Sequence, residues 1–296
     1  MIMPLFSEEM IVSIITAIFQ AIGQAISWIF PISESGHSAI FHNFSSRFTN
    51  ACSQLTGVIH IGIAIGIFIA IYKFIFKLAK SFFGGWNELF HKRLRLDYIP
   101  PVRSFVYMTI LSFVPLIFYI IPTGKYGNFF MLLHRFSFDE NLLTEGICFA
   151  LTGGLIILTA TRFDKPINKI PTYVQSLIVG FTALLAIPTA GCSLVAGVFC
   201  ACVLTGMNKN LALKYSMVMS VMILLVTGIV ELCIGVTSVS LVSAIIALVV
   251  SSGISFVSVR ILGNVIKKGY VKYIAFYDLA VGALCTIIGI FQVIIK

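Results

Sequence analysis

Residues 31–37 read Pro-Ile-Ser-Glu-Ser-Gly-His and follow directly on the apolar run of residues 10–30. Ser33, Glu34, Ser35 and His37 bring a carboxylate, an imidazole and two hydroxyls together, and Gly36 lets another backbone or a ligand approach closely. In a helical segment the spacing of Glu34 and His37 puts carboxylate and imidazole on one face. Such a pair suits the movement of a proton or the handling of a phosphate. Ionisable groups beside a membrane-length apolar run are expensive and are paired or functional. Two plainer readings stand next to this one: Glu34 and His37 satisfy each other, or the segment lies at the interface and is simply hydrated. Gln24 and Ser27, on the run just before, extend the polar set.

A second interruption, Pro-Thr-Ala-Gly-Cys-Ser at 188–193, offers Thr189, Cys192 and Ser193 but no charge. A cysteine nucleophile needs a positive neighbour to hold its thiolate, and none is near in sequence, so Cys192 reads as a small packing residue. Glu231, Arg260 and Asp278 lie within or at the ends of late apolar runs, and His60 within an early one. Pairs among them are either structural locks or part of a proton or substrate path.

The elements that must position these groups are membrane helices. Of 296 residues, 59% are hydrophobic and only 10% charged, against roughly a quarter charged in soluble domains, and mean hydropathy is +1.04. The formal charge of +9 sits in short connections between apolar runs, which is a topology signal and argues against nucleic acid as a partner. The seven cysteines lie mostly inside apolar segments without CxxC spacing and read as small buried hydrophobes. An acidic N-terminus without a basic n-region predicts that the first apolar segment is retained.

Runs of about 20 apolar residues, the length that crosses a bilayer core, fall at 52–72, 104–122, 142–161, 213–236, 239–261 and 273–295. Two further runs, 10–30 and 174–187, end in the interruptions described above and are followed by more small or apolar residues, as re-entrant helix pairs require. Residues 73–103 carry Lys73, Lys77, Lys80, Lys92, Arg93, Arg95 and Arg103 against Glu88 and Asp97, which makes them a cytoplasmic loop. The later connections then alternate consistently, with 123–141 and 237–238 outside and 162–172, 207–212 and 262–272 inside. This predicts a single all-α polytopic membrane domain over 1–296. It is an inverted repeat, residues 10–161 and 174–295, each half one re-entrant hairpin plus three transmembrane helices. Proteins so built handle a substrate near the midplane, and irregular backbone at that depth must be protein-buried or line a wet cavity.

The two interruptions resemble the motifs of the undecaprenyl pyrophosphate phosphatase family, bacterial membrane enzymes that recycle the lipid carrier of cell-wall synthesis. That family's first motif has Gln or Glu, a Glu four residues later, then Pro-(Ile/Val)-Ser-Ser-(Ser/Thr)-Gly-His; its second is Pro-Gly-x-Ser-Arg-Ser-Gly. Here they stand as QAISWIFPISESGH (24–37) and PTAGCSLVAG (188–197). LTGMNKNLALKYSMVMSV (204–221) and YIAFYDLAVG (273–282) are also similar to family stretches, so the likeness covers nearly the whole chain.

Gln24, Pro31, Ser33, Ser35, Gly36, His37, Pro188 and Ser193 match family positions. Trp28 stands where the family has its catalytic glutamate, Glu34 at a serine, Thr189 at a glycine, Gly191 at a serine and Cys192 at the arginine. The resemblance implies hydrolysis of a polyprenyl diphosphate to the monophosphate by His37, Ser33 and Glu34. Gln24, Trp28, Ser35, Gly36 and Ser193 would then lie toward the substrate, and Mg or Ca would be the cofactor of an active chain. It implies a multi-pass protein of the bacterial plasma membrane whose partner is a polyprenyl phosphate or diphosphate; a homodimer is left open. Losing the guanidinium removes the usual bidentate anion clamp, and Trp28 is neither base nor metal ligand. The alternative is a non-catalytic homologue that binds or transports a lipid phosphate or another substrate.

Overall fold

The structure, a computed structural model, describes residues 8–44, 55–91, 99–137, 141–163, 170–234 and 240–295. Of the charges counted above, Lys92, Arg93, Arg95 and Asp97 lie outside them, as do Asp139, Glu140, Asp164, Lys165 and Lys169 of the later connections and residues 237–238. The described residues are helical or in turns, apart from one isolated bridge between Pro122 and Asn128. The helices are α1 (Glu8–Ile29), α2 (Glu34–Phe44), α3 (Thr56–Phe90), α4 (Pro101–Leu111), α5 (Phe129–Ser137) and α6 (Leu143–Ala160). They continue with α7 (Tyr173–Ala186), α8 (Leu194–Leu204), α9 (Lys209–Ile234), α10 (Leu241–Lys267) and α11 (Val271–Ile295).

Among the described residues, six segments are long and apolar enough to cross a membrane: Thr56–Glu88, Pro101–Ile120, Leu143–Ala160, Lys209–Ile234, Leu241–Lys267 and Val271–Ile295. Each overlaps one of the runs read from sequence, and the chain is a multi-pass membrane protein. The second of these segments is not one continuous α-helix. α4 stops at Leu111 and the chain proceeds through a 3₁₀ turn, Val114–Ile120. Pro115 in that turn can neither donate a backbone hydrogen bond nor sit under the carbonyl four residues back.

Residues 73–90 are not loop, as the charge pattern had implied; they complete α3, which bends at Ile71 (φ −120°, ψ 20°) and runs to Phe90. No proline interrupts the run before Pro100, so nothing stops the helix where the hydropathy falls. Lys73, Lys77 and Lys80 are exposed along it, as are Phe76, Phe83, Trp86 and Phe90, a mixture typical of a membrane interface. Arg103 of α4 clamps this extension, donating to both carboxylate oxygens of Glu88 at 2.7 and 2.9 Å.

Small residues at intervals of four set the packing. Ala17, Ala21 and Ala25 are completely buried along α1, which lies on α10, where Ser243, Ala247, Ser251 and Ser255 make the matching stripe. On another side of α10, Gly62 and Gly66 of α3 come against Leu248, Ser251, Ser252 and Ser255. Lipid offers little hydrophobic reward for helix association, so close backbone approach and dispersion must supply it. α3 meets α9 through Gly57 and Gly228, and α6 meets α11 through Gly146 and Gly282, each pair within 2.9 Å of a notional Cβ. Polar pins add register. Thr172 and Gln175 form a capping box at the start of α7, Gln175 Nε2 donates to the Thr205 carbonyl at 2.8 Å, and Ser112 Oγ lies 2.8 Å from the Tyr215 hydroxyl.

A Cβ on Gly66 would strike the Ser252 carbonyl and lie 2.7 Å from Ser255 Cβ, whereas one on Gly253 meets nothing within 4 Å. Gly66→Ala should therefore destabilise by about 1–3 kcal/mol and lower the unfolding midpoint in detergent. Gly253→Ala should leave it unchanged or raise it, since alanine favours helix.

Candidate functional site

α1 ends two residues before Pro31, and the chain turns through residues 30–33 into α2. Ser33 sits at φ +58°, the one non-glycine residue with positive φ among those described. Such strain persists only where the surroundings enforce it and clusters at functional sites. Ser33 Oγ caps α2 by accepting from the Gly36 amide at 3.2 Å, lies 3.4 Å from Ser35 Oγ, and donates to the Cys192 carbonyl at 3.3 Å. The second break is made in the same way. Pro188 precedes a turn with Gly191 at φ +89°, and Ser193 Oγ caps α8 by accepting from the Ala196 amide at 3.3 Å.

The two breaks touch. A Cβ on Gly36 would lie 2.7 Å from the Gly191 nitrogen and 2.6 Å from the Phe149 ring of α6. Thr152, also on α6, donates to the Gly191 carbonyl at 3.2 Å. Beside Gly191, the Cys192 thiol faces that of Cys148.

Glu34 and His37 do not pair. Glu34 Oε1 accepts from Ser38 Oγ at 3.0 Å. His37 Nδ1 lies 2.8 Å from the Ser33 carbonyl, which can only accept, so Nδ1 carries the proton. In the neutral ring Nε2 is then the acceptor for the Tyr277 hydroxyl at 2.7 Å. The imidazole stacks on Tyr277 (5.9 Å, 4°) and meets Phe149 edge-on at 5.3 Å. Phe30, Ile32, Tyr273, Ile274 and Tyr277 line an apolar cavity of about 280 Å³ next to it.

On the other flank, Gln24 Nε2 donates to Thr56 Oγ1 at 3.4 Å. Trp28 lies edge-on to His60 at 5.3 Å, and His60 Nδ1 is 2.7 Å from Glu231 Oε2. Ser27 turns away, bonding its own helix at the Gly23 carbonyl at 2.7 Å. Of the other scattered ionisable residues, Arg260 is exposed over Phe256 of its own helix at 4.7 Å. Asp278 is completely buried, with neither oxygen hydrogen-bonded among the described residues. Lys209, Lys214 and Arg103 are engaged with Phe163, Phe74 and Glu88 respectively. No three His, Cys, Asp or Glu side chains converge among the described residues.

The family described as "Bacitracin resistance protein BacA" matches residues 17–284. The chain belongs to this family. It is 28% identical over 279 residues to an undecaprenyl-diphosphatase of Alkaliphilus metalliredigens, covering 90% of this chain and 96% of the relative. Undecaprenyl-diphosphatases of Methanosphaera stadtmanae and Halothermothrix orenii are each 26% identical, over 96% and 94% of this chain and 98% and 99% of the relatives. Membership of the BacA family supports a location in the bacterial plasma membrane.

The BacA fold of this chain brings Ser33, Ser35, Gly36 and His37 to the junction with Cys192, while Gln24, Trp28 and Glu34 lie on the side toward Thr56 and His60. Sequence reasoning missed Tyr277, Phe149, Thr152 and Cys148. Tyr277 is 240 positions from His37, and nothing in its local pattern marks it out from the other aromatic residues of α11. Because Tyr277 covers Nε2, His37 should react slowly with diethyl pyrocarbonate. In Tyr277→Phe, acylation of the His37 peptide, followed by mass spectrometry, should quicken several-fold.

Proposed function

We propose that this chain is an undecaprenyl-diphosphatase-type membrane protein. It seats the head group of a polyprenyl diphosphate where the two broken hairpins meet, and it hydrolyses that group slowly to the monophosphate and inorganic phosphate. The observation that carries the reading is the contact between the two breaks, Ser33 Oγ on the Cys192 carbonyl at 3.3 Å and Gly36 against Gly191, because these are the segments that resemble the family's motifs. The reciprocal glycine contacts of α3 with α9 and of α6 with α11 support an inverted repeat, since a two-fold relation between the halves would pair those helices with each other. In this reading α1–α2 and α7–α8 are re-entrant hairpins that dip from opposite leaflets.

Both α2 and α8 begin at the junction, so two sets of free backbone amides and two positive helix ends converge there, a setting that favours an anion. His37 and Ser33 hold the terminal phosphoryl group, with Ser35, Gly36 and Ser193 around it and Gln24 and Trp28 on the approach. Glu34 lends its charge to His60. The apolar cavity beside Tyr277 takes the first isoprene units. In the reaction a water oxygen bonds to the terminal phosphorus and the bond to the bridging oxygen breaks. Its electron pair leaves with the polyprenyl phosphate, and the water's proton ends on the inorganic phosphate released. Turnover is slow because the position of the family's arginine holds a thiol that faces Cys148, so among the described residues no guanidinium at this position offsets the charge of transfer.

A second reading has a specific observation in its favour. Cys192 against Cys148 and Trp28 against His60 close both flanks of the junction with poorly charged groups, which suits a protein that binds or moves the lipid without cleaving it. One assay separates the two. Purified protein given polyprenyl diphosphate with Mg or Ca should release phosphate slowly, and His37→Ala should abolish it. The combined Cys192→Arg, Trp28→Glu, Glu34→Ser change should raise the rate by about 10²–10³, the usual worth of a transition-state anion donor. Saturable lipid binding with no release from either protein would favour the second reading and sink the first.

A further inference from the structure

Gln24 Oε1, Trp28 Nε1 and His60 Nε2 are among the buried polar atoms on the α1 side of the junction that make no hydrogen bond among the described residues, and the last two belong to rings in edge contact at 5.3 Å. Leaving such groups unmet is costly, and buried polar atoms in native proteins are otherwise satisfied, often by ordered water. Their chemistry narrows the occupant. An indole N–H can only donate. His60 Nδ1 is paired with Glu231 Oε2 at 2.7 Å without hydrogen-bond alignment, and a neutral ring that keeps its proton on the Glu231 side has a lone pair at Nε2. The missing partner must accept from the one and donate to the other, and it must fit between two packed rings. Water does both.

A carboxylate on Nδ1 with Nε2 left free is also the arrangement that makes a histidine a general base. The carboxylate fixes the tautomer and steadies the imidazolium once the proton arrives. We infer that Trp28 and His60 hold the attacking water of the hydrolysis proposed above, with His60 as its general base and Glu231 as the residue that positions His60. This rests on the phosphatase reading and adds to it His60 of α3 and Glu231 of α9, which lie outside the two motifs quoted above, beside Trp28 of the first motif. Trp28 Nε1 donates to the water oxygen, and the water donates to His60 Nε2. As the oxygen bonds to the terminal phosphorus the proton passes to Nε2, the bridging P–O bond breaks, and the polyprenyl phosphate carries away the electron pair. The charged groups bearing on His60 are Glu231 from α9 and Glu34 from α2.

The test is phosphate release from polyprenyl diphosphate by the full-length protein in detergent, with lipid binding measured in parallel. His60→Gln retains a hydrogen-bonding partner for Glu231 but no base, and release should fall by about 10²–10⁴, the usual worth of a general base, with binding unchanged. Glu231→Gln should slow release at unchanged KM, and Glu231→Asp should recover part of the loss. Release by His60→Gln at the unaltered rate would overturn the inference while leaving the phosphatase reading intact. No release by the unaltered protein defeats the underlying reading, and the water site with it.

Discussion

Backbone meets backbone where residue 36 lies against residue 191, and glycine on both sides is what permits it. A methyl group on either would overlap the other chain segment or its neighbours on α6. Everything near the junction follows from this approach. Ser33 can reach the Cys192 carbonyl only because no side chain separates the two turns. The same closeness brings the first turns of α2 and α8 to one point and leaves Ser33 and Ser193 to cap them. The strained φ of Ser33 is tolerable because its hydroxyl serves both the α2 cap and the opposite turn.

From that contact the polar groups divide into two sets. One side holds His37, bonded through both ring nitrogens to Ser33 and Tyr277, over an apolar cavity. The other holds Trp28, His60 and Glu231, with Glu34 near enough for its charge to act on His60. An anion of several charges between these sets would meet helix N-termini and imidazoles in place of a guanidinium. This physical difference separates the chain from the family pattern it otherwise follows. Asp278, buried in α11 one residue beyond Tyr277, stays without a hydrogen-bond partner among the described residues.

The membrane architecture was legible in the sequence because the bilayer imposes a length and a polarity that composition must obey. The expected spans each fall on a helix or helix-and-turn segment, and the interruptions at 31–37 and 188–193 are where α1 and α7 break. The failures came where hydropathy and helicity part company. Lys73, Lys77 and Lys80 end the apolar run but not α3, since exposed lysines favour helix as much as any loop. The Arg103–Glu88 clamp that secures this extension joins α3 to α4 and has no local sign.

Taken alone, then, the sequence determined the class of protein, the positions of its membrane helices and the two places where polar residues break them. Each is a property of a single segment in contact with lipid or water. Tertiary structure decided which groups those breaks would serve. It set His37 on Tyr277 rather than on Glu34, Cys192 on Cys148, and Trp28 against a His60–Glu231 pair. Those choices depend on where α3, α6, α9 and α11 come to rest. Glycine and serine stripes, which have no directional chemistry of their own, settle that through close packing between helices far apart in the chain.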